Sequence, residues 1–428
     1  MKKSMTSKYP QVLFQNRKPD RIATLDEYRL SGGYKALEEV LRKHSPKDVC
    51  RLVGEADLRG RGGAGFPAAK KWLAVPDDGA FPRYLAANAD EMEPGTFKDR
   101  VLIHADPHSI IEGMILAGYA FSGQKGFIFV RPSYESSAAI LERELKIARQ
   151  AGFLGNNILG SDFSFDIVVH RSGGRYICGE GTALLNAIMG KRPNPTKPPP
   201  YPTVKGLWGK PTVVNNVETL ANIPHILRNG SEWFKSLSQA PKASGTKLFC
   251  VSGRVVNPGC FELPMGARLN EIIDDCAGGL PPGLQFKACL PGGASTRFLT
   301  PDLYDIRMDF DSMAAAGHRL GTAAIIVFDR DTCLVGATLN MIEFFARESC
   351  GWCTPCREGL PYVRDLLWRI EHGEGKEEYI PLLRDLCKYL WNSYCALAPG
   401  AVSPVESLLT YFEHELHEHI SQKRCPYT

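Results

Sequence analysis

HSIIEGMILAGYAFSGQKGFIFVRPSYESSAAILERELKIARQAG, His108 to Gly152, decides the fold. Its first third is apolar on nearly every side and rich in small residues, the pattern of a buried helix. KGFIFVRP follows as a short apolar run of the kind that makes a buried strand. ESSAAILERELKIARQAG then reads as a helix stopped by Gly152. Outward from this core, FDIVVHRSGG reads as a further strand, and upstream RYLAANADE reads as a short strand running into a charged loop. LDEYRLSGGYKALEEVLRK, nearer the N-terminus, reads as an amphipathic start. This alternation argues for an α/β domain.

The chain of 428 residues is too long for one core and points to two to four domains. Hydrophobic residues make up 44% and charged residues 23%, a soluble globular composition. No apolar run is long enough to span a bilayer. The N-terminus, MKKSMTSKYPQ, lacks the apolar stretch of a signal peptide and the character of a transit peptide, so the protein is expected to stay where it is made. A net charge of +4 with no basic patch interleaved with aromatics gives no case for nucleic acid.

PNPTKPPPYP, Pro193–Pro202, favours extended backbone. Because α/β pattern resumes at once, it reads as an ordered loop over the same domain rather than a linker. From Gly245 the texture becomes strand, strand, helix, strand, compact enough for a small α+β module. The last hundred residues have four helix-like segments with short connections, as in an antiparallel bundle. The expected divisions are 1–240, 241–330 and 331–428.

ESCGWCTPCREG places Cys350, Cys353 and Cys356 at steps of three in a turn between the first two helices of that bundle. Of the later cysteines, Cys387 sits within an amphipathic helix and Cys425 in a tail expected to be mobile. Cys395, in a loop bounded by Pro399 and Gly400, can fold back as a fourth ligand. Four such thiolates suit a cubane [4Fe–4S] cluster. Zinc is the alternative, although paired knuckles or added histidines are missing. The remaining nine of the thirteen cysteines read as ordinary packed or exposed thiols.

DLRGRGGAGFPAAKKW contains Gly60-x-Gly62-x-x-Gly65. A dinucleotide fingerprint needs a strand before it, and KDVCRLVGEADL looks helical, so the ordinary Rossmann reading fails. Glycines still let backbone approach a ligand, and Arg61, Lys70 and Lys71 add positive charge ahead of and within a helix that carries Pro67 in its first turn. The expectation is a phosphate-bearing cofactor not held in Rossmann fashion, or else a plain tight turn. Asn88, Asp90, Glu91 and Glu93 crowd the end of the RYLAANADE strand, where α/β sheets bind ligands. Carboxylates there suit hydroxyl or amide donors better than phosphate; a solvated charged loop is the alternative. Asn215 and Asn216 offer further amide groups or serve as turn chemistry.

GRGGAGFP, NADEMEPGTFKDR, GRYICGE, WGKPTVVNNVET, FFARESCGWCTPCREG and CALAPGAV together resemble the FMN- and NADH-binding flavoprotein subunit of respiratory complex I, in order from about residue 55 to 415. The resemblance implies a Rossmann-like α/β flavin domain, a ubiquitin-like β-grasp module and a helical bundle carrying one [4Fe–4S] cluster. It implies FMN contacts from Gly60, Arg61, Gly62, Lys71, Asn88, Asp90, Glu91, Tyr176, Gly179, Glu180, Val214, Asn215, Asn216 and Thr219. NADH would stack over the flavin, with Glu93 and Lys71 near the nicotinamide and Phe66 and Tyr201 sandwiching the adenine. Hydride would pass from NADH to FMN with no protein acid or base, and electrons would leave singly through the cluster toward quinone.

Two positions depart from the family pattern. Tyr201 stands where Phe is usual, keeping an aromatic face. Gly181 stands where the family has Glu, and losing that carboxylate is expected to reduce repulsion toward the extra phosphate of NADPH. The implied partners are a small two-iron thioredoxin-like subunit and a larger multi-cluster subunit, with indirect membrane attachment on the cytoplasmic side in a bacterium. Diaphorase subunits of soluble NAD-linked hydrogenases and formate dehydrogenases share these motifs, usually with extra terminal domains. A non-catalytic ligand-binding or assembly module is the reading from another class.

Overall fold

The computed structural model describes residues 8–79 and 81–427. Residues 1–7, part of the stretch weighed as a leader, lie outside the described residues. Strands β1 (Tyr84–Ala89), β2 (Lys125–Val130), β3 (Asp166–Arg171) and β4 (Thr212–Asn216) form a wholly parallel sheet in the order β3-β2-β1-β4. Alternate residues go to opposite faces. Leu85, Ala87, Ile128 and Val130 join the main core, whereas Ala86, Phe127 and Phe129 pack with Leu184, Leu185 and Leu207.

The helix Pro107–Ala120 is buried along almost its whole length, as its composition predicts, and packs against the helix Val217–Asn229. The small residues there are a steric requirement. A Cβ at Gly113 would lie 2.0 Å from the carbonyl oxygen of Leu220. The helix Pro46–Glu55, capped by Ser45, precedes the glycine loop, so that loop is not a strand-to-helix turn. β1 lies between β2 and β4, and chain connections diverge there; ligand crevices open at such switch points, outside the carboxyl ends of the strands.

The second sheet contains β5 (Thr246–Gly253), β6 (Gly259–Pro264), β7 (Phe286–Leu290) and β8 (Ala324–Asp329), in the order β6-β5-β8-β7. Only β5 and β8 run parallel. β8, which is not among the expected strands, carries the AIIVFD run and lies inside the sheet between β5 and β7. The two sheets are tied through charge: the buried carboxylate of Glu218 takes Lys247 at 2.6 Å, Lys98 at 3.0 Å and the backbone N–H of Leu248 at 3.0 Å.

Five helices complete the described chain: Leu334–Glu348, Thr354–Glu371, Tyr379–Leu390, Leu397–Tyr411 and Glu413–Gln422. Two expectations need correcting. The segment after Cys395 is helical from Leu397, because Pro399 falls in a first turn, where a missing N–H costs nothing. The Cys425 tail is packed rather than loose: Cys425 is buried beside Cys333 and Glu371. No helix among the described residues is long and apolar enough to cross a membrane.

Candidate active site

Two chambers open at the carboxyl ends of β1 and β4. The inner one, about 270 Å³, is lined by Asn88, Asp90, Glu91, Glu93, Tyr176 and the backbone around Ile177, and also by Cys395. The outer cleft, about 750 Å³, is lined by Gly60, Phe66, Lys71, Gly181, Tyr201 and Val214, with Asn215 and Thr219. Gly62, Asn88, Gly179, Glu180 and Asn216 belong to both walls, so the chambers form one site.

The glycine loop is closed on itself by Gly60 N–H donating to the Phe66 carbonyl at 2.9 Å, and by Arg59 donating to Gly65 at 3.0 Å. A Cβ on Gly62 would meet that of Asn216 at 3.0 Å, so glycine lets the loop lie against the end of β4. The following helix starts at Ala68, with Pro67 as its N-cap rather than within its first turn.

Asp90 and Glu91 are buried and Glu93 is half-buried, so the loop is not the solvated one. Both oxygens of Asp90 lack a hydrogen-bond partner among the described residues; Ser172 and Arg131 are close enough to favour its charge without reaching bonding geometry. Burial pushes its pKa up to about 7. Glu91 instead caps the helix Lys98–Ala105, accepting from Asp99 and Arg100 N–H at 2.8 and 3.2 Å. Burial and the neighbouring Asp99 push its pKa up too. Glu93 accepts from the Tyr176 hydroxyl at 2.6 Å and Ser295 N–H at 2.7 Å. Glu180 caps the helix Gly181–Ile188 through Thr182 and Ala183 N–H.

Lys71 donates to the Val214 carbonyl at 2.7 Å, and burial holds its pKa below the ordinary lysine range. Phe66 and Tyr201 are 51% and 63% exposed, yet both face the outer cleft. The proline loop is ordered as expected: Thr196 N–H donates to Thr182 Oγ1 at 2.7 Å, and Thr212 N–H to the Pro202 carbonyl at 2.9 Å. Gly181 has no positive φ, and a Cβ there would meet nothing within 4 Å.

Other expected contacts turn elsewhere. The Arg61 guanidinium is absent from either wall and donates to the Ser244 carbonyl at 2.6 Å. Its backbone N–H donates to Thr219 Oγ1 at 2.8 Å. Asn215 accepts from Trp72 Nε1 at 3.0 Å. Asn216 holds Asn88, Asp99 and Lys98 together through its amide. Lys98 and Asp99, which lie in the NADEMEPGTFKDR stretch but not among the expected site residues, also line the inner chamber.

Cys350 and Cys353 lie in the turn, Cys356 in the first turn of the next helix, and Cys395 reaches them from the loop before Leu397. The cysteines act on one another electrostatically. Burial above all pushes Cys356 up to about 12, with the Ser349 hydroxyl opposing it and the neighbouring thiols adding to it; burial above all pushes Cys395 up to about 11. Four converging cysteines fit a cluster that takes thiolate ligands. The unpartnered Asp90 carboxyl, the bare glycine backbone and the Lys71 cation likewise fit a group bearing hydroxyls and phosphate.

Residues 53–225 match the Nuo51 FMN-binding domain, 248–299 the SLBB domain, and 336–419 the NADH-ubiquinone oxidoreductase-F iron-sulfur binding region. These describe a class of flavin- and iron–sulfur-containing oxidoreductase subunits. The F subunit of NADH-quinone oxidoreductase from Escherichia coli (strain K12) is 49% identical over 93% of this chain and 90% of its own. The F 2 subunit of the same enzyme from Rhizobium meliloti is 46% identical over 94% and 96%. The chain belongs to the family of NADH-quinone oxidoreductase F subunits. An NAD+-reducing [NiFe]-hydrogenase, solved in its air-oxidized state, shares the fold with a TM-score of 0.81 and 33% identity, covering 92% of this chain and 66% of that one.

Proposed function

We propose that this chain is the NADH dehydrogenase module of complex I, holding FMN across the two chambers and a [4Fe–4S] cluster on Cys350, Cys353, Cys356 and Cys395. The observation that carries this reading is Cys395 in the wall of the inner chamber, which puts a cluster ligand against the flavin site. FMN supplies the conversion between two-electron oxidation of NADH and the single electrons a cubane accepts.

The residues orient and exclude. Gly60 and Gly62 let backbone N–H groups come close to a phosphate. Asp90, Asn88 and Asn216 receive and donate hydrogen bonds along a hydroxylated chain. Lys71 places positive charge where reduction adds negative charge. Arg61, Glu91, Asn215 and Thr219 hold the walls in place, and Tyr176, Gly179, Glu180 and Val214 shape them. Phe66 and Tyr201 take the adenine of NADH between them, with Glu93 toward the carboxamide. At Gly181 the rim lacks a carboxylate, which favours acceptance of NADPH.

We assign residues 1–240 to the flavin domain, 241–330 to a ubiquitin-like β-grasp domain and 331–428 to the cluster-bearing bundle. Trp352, Tyr362, Tyr389 and Trp391 are exposed on that bundle and support docking of a small two-iron subunit, with a multi-cluster subunit beyond, on the cytoplasmic side of the membrane. A diaphorase role in a soluble NAD-linked hydrogenase is the second reading, favoured by the hydrogenase fold match.

An anaerobic absorbance spectrum before and after NADH tests the proposal. A flavin band that bleaches at once supports it. Iron–sulfur absorbance without flavin supports the binding-module reading instead.

A further inference from the structure

We propose that Cys333, Glu371, His419 and Cys425 form a second metal centre, a mononuclear zinc site that fastens the C-terminal tail to the helical bundle. Their ligand atoms all lie within 4.8 Å of one another. They come from four places in the chain. Cys333 precedes the helix Leu334–Glu348, Glu371 ends the helix Thr354–Glu371, His419 lies on Glu413–Gln422, and Cys425 follows in the tail.

Three of the six ligand edges lie at or a few tenths of an ångström inside those a tetrahedral ion imposes, and Cys425 Sγ lies within 4.8 Å of the other ligand atoms. Cys333 Sγ is 3.3 Å from Glu371 Oε2 and 3.3 Å from His419 Nε2, and those two atoms are 3.1 Å apart. Zinc–sulfur bonds of ~2.3 Å and zinc–nitrogen bonds of ~2.0 Å give ligand edges of about 3.3–3.8 Å.

A second observation concerns the tautomer. His419 Nδ1 is 2.6 Å from the Glu415 carbonyl, which only accepts, so Nδ1 carries hydrogen. In neutral imidazole the Nε2 lone pair then faces Cys333 and Glu371, the orientation metal-binding histidines take from a backbone carbonyl. Glu415 is itself anchored, accepting from Leu334 N–H at 3.0 Å. Cys333 Sγ also accepts from Gly336 N–H at 3.1 Å, at the start of a fifteen-residue helix, which favours thiolate.

Two thiolates, an imidazole and a carboxylate match zinc in softness and number, and mismatch magnesium or calcium. All four positions are filled by protein, which makes the site structural. Binding would release the two thiol protons. It is separate from the four cysteines assigned to the cluster.

The test is metal analysis of the intact holoprotein, purified anaerobically without chelator, with zinc and iron measured together. The expected result is about one zinc per chain besides the iron, with two sulfurs in the zinc K-edge first shell. Cys425→Ser, in the tail, and His419→Gln should each lose the zinc while keeping iron and flavin. Iron and flavin retention shows that a variant is folded. Two results overturn the proposal: no zinc retained after incubation with zinc chloride, with Cys333 and Cys425 found as free thiols or as a disulfide; or zinc kept in both variants.

Discussion

Tyr176 reaches across the inner chamber to Glu93, its hydroxyl donating at 2.6 Å, while its ring stands edge-on to Phe344 and Phe345 at 5.5 Å each. One side chain thus joins the carboxyl-bearing loop after β1 to the helix that leads into the cysteine turn.

Tyr176→Phe should leave the ring packing intact and remove that donor. Leaving a buried carboxylate short of a partner costs about 1–3 kcal/mol. Burial already raises the Glu93 pKa and Tyr176 opposes the rise, so the variant should raise it further. Thermal unfolding should show a deficit at neutral pH that shrinks as acid protonates Glu93. Equal melting of both forms at neutral pH would refute the contribution.

Asp90 should make flavin binding pH-dependent. Its folded pKa, about 7, lies above the ordinary 3.8, so the flavin-free fold holds a proton that the unfolded chain releases. On its account that fold loses stability as pH rises from about 4 to about 7. Hydroxyl donors on a ligand reverse this preference by favouring the carboxylate. FMN affinity of the stripped protein should therefore rise as pH climbs toward about 7, by up to about tenfold per pH unit, and level off above it. Titration by flavin fluorescence would check it, and Asp90→Asn should flatten the profile.

Glu218 sits between Lys98 and Lys247 with its side chain fully buried. Glu218→Gln leaves the buried Lys247 ammonium without a counterion, while Lys98 keeps Asp99 at 2.6 Å, a loss of about 3–5 kcal/mol. Denaturant unfolding should show it. A variant within 1 kcal/mol of the parent, on the same ~3–5 kcal/mol scale, would mean Lys247 finds another partner.

Gly181→Glu should fold as the parent does, because its Cβ enters open space. It should lower kcat/KM for NADPH relative to NADH by about tenfold, equivalent to ~1.4 kcal/mol. Unchanged discrimination with unchanged melting would detach this position from cofactor choice.

Cys395→Ser should reduce iron per chain and abolish the cluster's paramagnetic signal. Cys387→Ser, at a thiol packed in the core of the bundle, should leave both unchanged. Iron analysis with electron paramagnetic resonance separates the two.

Local pattern carried much of this structure. KGFIFV becomes β2 because five of its six residues are buried, and the three closely spaced cysteines become a turn because Gly351 takes φ +74° there. What depends on which surfaces meet was hidden. Arg61 looks like a phosphate ligand beside glycines, yet the Ser244 carbonyl, 183 residues away, draws it inward. Pro399 and Gly400 resemble loop punctuation, but a proline in a first turn is also compatible with helix. Cys333 and Cys425 are 92 residues apart in a chain of thirteen cysteines, and no spacing rule joins them.

Cys395 and its neighbours Ala396 and Leu397 are at once the far ligand segment of the cysteine set and part of the inner chamber wall. With the cluster and the flavin held as proposed, a partition shared in this way would couple the two cofactors during biogenesis. Chains that fail to receive iron would then be expected to hold flavin less well, so flavin occupancy would gauge how far metal insertion has gone. Yellow colour in a preparation would then certify more than the presence of a vitamin derivative.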